Sequence, residues 1–138
     1  MNTLLQTLAL ATVLAAGLAH ADVVLVGNPA IGGTLTADQA SDLYLGKGNK
    51  LPNGSNAVVY ELENGNALRV AFHAKVTGKS EAQLQSYWSR LVFTGKGSPP
   101  TQLANTGLMK STIASTPNAV GYIDESEVDA SVIVLLKP

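Results

Sequence analysis

Cysteine is absent from this chain, which excludes disulfide staples, thiolate nucleophiles and thiolate-ligated metals and fits a bacterial periplasm. Histidine is nearly absent: His20 falls in an apolar leader, leaving His73 alone, too little for an imidazole-held metal. No metal site and no cofactor is therefore expected. Charge is sparse and balanced, nine Lys and Arg against ten Asp and Glu in 138 residues. There is no basic run and no basic-aromatic patch, so nucleic acid is not an expected partner. No serine stands in a nucleophile elbow, and Thr94-Gly95-Lys96-Gly97 lacks both the spacing and the following hydroxyl of a P-loop. An enzyme is not expected.

Long apolar runs are missing too. The longest, residues 4–19, is nearly all apolar but falls short of the roughly 20 residues that a spanning helix needs. Followed by the small-x-small triplet Ala19-His20-Ala21, it reads as an export signal, although no Lys or Arg precedes it. Cleavage after Ala21 would leave residues 22–138, 117 in all. That is one domain, large enough for a single core, delivered to the periplasm without stable membrane insertion.

What is present alternates between strand and helix signals. Val23-Val24-Leu25-Val26 is an uninterrupted apolar run with three β-branched residues, as in a strand buried on both faces. Thr36-Ala37-Asp38-Gln39 and Ser80-Glu81-Ala82-Gln83 are capping boxes. The first predicts a helix with Ala40, Leu43 and Tyr44 inward, stopping at Gly46. The second predicts one presenting Leu84, Tyr87, Trp88, Leu91 and Val92 at helical spacing. Between them a strand is expected over 57–62 and a helix from Asn66 to Gly78 with Leu68, Ala71 and Phe72 inward. A weaker helix over 106–115 carries Met109 and Ile113, and strands follow over 119–123 and 131–136. The alternation predicts an α/β sandwich around a small mixed sheet.

The segment around Asn64-Gly65 is the place for a site. A strand ends there and a helix begins, so unpaired N–H groups of Gly65, Asn66 and Ala67 and the positive dipole end can meet an anion. Arg69, in the first turn, can add a bidentate fork, or can be a solvated residue paired with Glu63. Glu61 and Glu63 alternate on the strand and so point to one side together, where they oppose a dianion or favour a cation or carbonyl group. His73 has no evident partner and reads as an exposed helix residue. Lys96, between glycines in a loop, reads as an exposed turn lysine or as a residue approaching a ligand.

Several segments in order resemble the phosphate-binding proteins of ABC importers, the second structural type of periplasmic binding protein. They are Leu35-Thr36, residues 42–47, Ala57-Val58-Val59 and residues 116–123. Residues 87–100 are similar to a stretch of short, single-lobe members. The resemblance covers nearly all of 22–138 and implies one lobe of such a receptor, a small mixed sheet flanked by about four helices. In that family one lobe supplies an Arg, an Asp and a Ser-Gly-Thr turn at a helix start. Aligned on Ala57-Val58-Val59, these positions fall on Glu61, on Glu63, and on Gly65, Asn66 and Ala67. The Arg has become an acid and both hydroxyls are gone; the helix start survives.

Two readings follow. One is an exported solute-binding domain that takes phosphate or another small anion and serves an ABC permease. The other is a periplasmic interaction or accessory module that has lost its ligand, with another periplasmic protein or a second copy of the chain as partner.

Overall fold

The computed structural model describes residues 22–138; the leader and cleavage site expected over 1–21 lie outside the described residues. The chain runs β1 (Val23–Gly27), α1 (Ala37–Leu45), β2 (Val58–Leu62), α2 (Ala67–Val76), α3 (Glu81–Phe93), β3 (Thr101–Leu103), α4 (Thr106–Ser115), β4 (Ala119–Asp124) and β5 (Ile133–Leu136). Short 3-10 turns follow β1 and β4.

The five strands form one mixed sheet in the order β3-β2-β4-β1-β5. Strand β2 runs parallel to β3 and β4, while β1 is antiparallel to β4 and β5. Every residue of β1 is buried, as its unbroken apolar run requires of a strand covered on both faces. Residues Gly121 and Tyr122 on neighbouring β4 show the two covers. A Cβ on Gly121 would strike Met109 and Ile113 of α4. On the opposite face the Tyr122 ring stacks on Phe72 of α2, with centroids 4.3 Å apart, and Tyr44 of α1 packs beside both. Successive strand residues point to opposite faces, so the sheet lies between α4 and the α1–α2 pair.

Both capping boxes form. Thr36 Oγ1 accepts the Gln39 N–H while Gln39 Oε1 accepts the Thr36 N–H, and Ser80 and Gln83 repeat the arrangement. Helix α1 closes at Gly46, where φ is +68°, the left-handed conformation that only Gly adopts without strain. Helix α4 occupies 106–115 as predicted, with Met109 and Ile113 buried.

Two faces differ from expectation. Helix α2 buries Arg69, Phe72, His73 and Val76, while Leu68 and Ala71 are half-buried. The buried stripe is rotated toward two polar residues because a strand-borne carboxylate is there to receive them. Helix α3 buries only Leu84 and Trp88; Val92 is 53% and Phe93 91% exposed. Trp88 rests on Gly46, and the Tyr87 hydroxyl donates to the Leu45 carbonyl. The edge strand β3 had no sequence signal, since three residues after a Pro pair show no periodicity.

Candidate functional site

The carboxyl end of β2 delivers Glu61 and Leu62 to a tight turn. The Asn66 N–H donates to the Glu63 carbonyl at 3.1 Å, and Gly65 takes φ +81°, the value that the third position of a type II turn demands of a glycine. Asn66 then caps α2, its Oδ1 accepting the Leu68 N–H at 2.9 Å. Of the three residues expected to offer main-chain donors, Asn66 has its N–H engaged. Gly65 and Ala67 are exposed, and no acceptor meets their N–H groups among the described residues.

The carboxylates separate. Glu61, still within the strand, is 2% exposed, whereas Glu63 lies beyond the strand end and is solvated. Alternation predicted a shared side, but the strand stops at Leu62 and the turn carries Glu63 outward.

Arg69 takes neither role foreseen for it. It is buried, with Nε donating to Glu81 Oε1 at 2.9 Å, Nη1 donating to the Leu62 carbonyl at 3.0 Å, and Nη1 lying 3.4 Å from Glu61 Oε2. His73 is corrected outright. It is 1% exposed, its Nε2 meets Glu61 Oε1, and its Nδ1 lies 2.8 Å from Thr77 Oγ1. Residues 69 and 73 are four apart on α2 and so share a face, and both converge on one carboxylate. A buried carboxylate without such partners would cost several kcal/mol.

Two tyrosines complete the cluster. The Tyr122 hydroxyl accepts the Leu62 N–H at 3.1 Å and faces Glu61 Oε1 at 3.4 Å. Tyr44 donates to the Tyr60 carbonyl at 2.9 Å. Burial, with the Glu61 charge adding to it, raises the Tyr122 phenol well above its ordinary range; burial followed by Tyr122 and Glu61 does the same for Tyr44. Both therefore remain neutral donors at neutral pH. Sequence reasoning missed Tyr44, Thr77, Glu81 and Tyr122 as members. The i, i+4 spacing of Arg69 and His73 was the one local signal available.

Beside the cluster a cleft of about 520 Å³ opens between the start of α2 and helix α3. Leu84, Trp88, Val92, Phe93 and Pro99 form its apolar wall, and Arg69 and Glu61 lie at its floor. Lys96 is exposed and does not line it. Among the described residues no helix is long and apolar enough to cross a membrane, and no group of three or more His, Asp or Glu is placed to hold a metal ion.

Solved structures share this architecture. One is a protein assigned as a phosphate ABC transporter substrate-binding protein, with bound phosphate, from Clostridium perfringens; it is 27% identical with a TM-score of 0.64. The match covers 83% of this chain and 44% of that one. An ABC-type phosphate transport receptor from Vibrio cholerae (20% identity, TM-score 0.55) and PstS from Borrelia burgdorferi (13%, 0.63) match over 83% of this chain and 45% and 46% of theirs. At those identities the last two speak for the fold alone. No protein-family model and no curated protein matches the chain. The chain thus resembles phosphate ABC transporter substrate-binding proteins, and its fold is a single lobe of the type II periplasmic binding architecture. It spans less than half the length of the solved chains it matches.

Proposed function

We propose that residues 22–138 act as an exported, non-catalytic solute-binding lobe that holds a small oxyanion, phosphate first among them, and presents it to an ABC permease. The carrying observation is the solvent-facing start of α2, where the N–H groups of Gly65 and Ala67 remain unbonded beside a neutralised carboxylate. Two main-chain donors at a helix N-terminus favour an anion. Arg69, held against Glu61, offsets the charge that would otherwise repel it, while Glu63 stays near in solvent. The likeness to a phosphate-bound structure at 27% identity supports the same ligand class.

Titration calorimetry of the protein with phosphate, sulfate and carboxylates tests this reading. Ala67→Pro sharpens it: proline is tolerated at the first helical position and removes only the N–H, and Asn66 before it is already extended. Affinity for phosphate should fall about tenfold or more with an unchanged melting curve. No heat at millimolar phosphate refutes the binding role.

A second reading, a periplasmic interaction module, is favoured by Phe93 and Val92, exposed together at the end of α3. A partner protein or a second copy would cover them. Light scattering of the protein beside its Phe93→Ser variant separates the readings, since a strict monomer with nothing recovered by periplasmic crosslinking counts against this one.

A further inference from the structure

The cleft between α2 and α3 is distinct in chemistry from the exposed amides at the α2 start. Its wall is apolar, and its volume of about 520 Å³ lies within the range of small-molecule sites. Two donors associated with it are unanswered. Trp88 lines the cleft, is 8% exposed, and its Nε1–H is buried without an acceptor. Arg69 uses Nε and Nη1 on the protein, while Nη2 has no acceptor among the described residues. The indole N–H is closed even to water, so Arg69 Nη2 is the donor that a ligand oxygen meets in the cleft.

The charges of the floor decide what kind of oxygen. Glu61 and Glu81 contribute two negative charges; Arg69 and His73 contribute at most two positive ones. No protonation state of His73 leaves surplus positive charge, so the floor does not reward an anion. The unanswered groups are donors, so a cation offers them nothing.

We propose that this cleft binds an uncharged organic molecule with an apolar, ring-sized body and a carbonyl oxygen, such as an aromatic or aliphatic amide. The body packs on Leu84, Trp88 and Val92, and the carbonyl accepts from Arg69 Nη2 at the floor. This site stands independently of oxyanion binding at Gly65 and Ala67.

Trp88 is the only tryptophan in the chain, so its emission reports on the cleft directly. Benzamide serves as the minimal probe, with benzoate and toluene as the charged and acceptor-free counterparts. Benzamide should change Trp88 emission saturably and shift the amide NMR signals of Gln85, Ser89 and Gln102, which also line the cleft. Benzoate and toluene should bind about tenfold more weakly or worse. Val92→Asp places a charge on the wall at a half-exposed position that folding tolerates, and should weaken benzamide about tenfold with the melting curve unchanged. The proposal is overturned if benzamide produces neither saturable emission change nor NMR shifts at millimolar concentration. It is equally overturned if benzoate or toluene binds as tightly as benzamide, or if Val92→Asp leaves benzamide affinity intact.

Discussion

Replacing Arg69 by Met is the most direct probe of what holds the β2–α2 junction together. Methionine preserves the stem's bulk in the core but removes three interactions. The contact with Glu81, whose side chain is 30% exposed, contributes under about 1 kcal/mol. The donor to the Leu62 carbonyl leaves a buried acceptor unpaired, about 1–3 kcal/mol. The Glu61 contact at 3.4 Å is worth roughly 5 kcal/mol of gross attraction at an effective dielectric near 20, but its loss is partly met by His73. Breaking one side of a buried pair typically costs about 3–5 kcal/mol, and we take that range for the net. Urea denaturation followed by far-UV circular dichroism should show it, with Tm lowered by about 12–20 °C. The double variant Arg69→Met with Glu61→Gln should recover part of the loss, because the carboxylate no longer needs neutralising. A loss under about 1 kcal/mol, or strict additivity of the two changes, would refute the argument that Arg69 and Glu61 stabilise one another in the core.

Other outcomes follow from the same geometry. Glu63→Gln removes the solvated carboxylate beside the α2 start, and calorimetry at low salt should find phosphate bound about two- to threefold more tightly, the gain fading as salt is added. Gly121→Ala drives a methyl against Met109 and Ile113, which a Cβ would meet at 2.9 Å or closer; denaturation should report a loss of about 1–3 kcal/mol. The buried phenols of Tyr44 and Tyr122 have raised folded-state pKa values, so their contribution is fully present at neutral pH and is lost as pH climbs past the unfolded value of about 10. In alkaline titration their phenolate absorbance should therefore appear together with the loss of helical dichroism. Ionisation of all four tyrosines with the fold intact would contradict this.

Local signals found the elements other than β3 and misjudged some of their faces. The capping boxes at Thr36 and Ser80 depend on residues three apart, and the stop at Gly46 depends on one residue's backbone freedom, so both were readable without knowing what packs where. Helix α2 was located by the turn before it, but its buried face was assigned from Leu68, Ala71 and Phe72 on apolarity alone. The core accepts Arg69 and His73 because Glu61, eight and twelve positions earlier, is delivered by the neighbouring strand. Tyr122 joins the same carboxylate from 61 positions away, a pairing that exists only because β2 and β4 are parallel neighbours. Helix α3 failed differently. Its period was regular, yet the outer end of the stripe has nothing to pack on among the described residues, so Val92 stands in solvent.

By itself the sequence determined the succession of strands and helices apart from β3, the buried β1, the helix starts and the lack of any thiol. These rest on composition, on residue spacing within a turn or two, and on backbone stereochemistry. Only the tertiary structure decided that Glu61 is an internal anchor while Glu63 is solvated, that Arg69 and His73 face inward, and that a cleft lies between α2 and α3. Each of those depends on which groups distant in the chain are brought within a few ångströms. Burying a charge is tolerable only when its partner arrives, and the sheet's pairing decides that arrival.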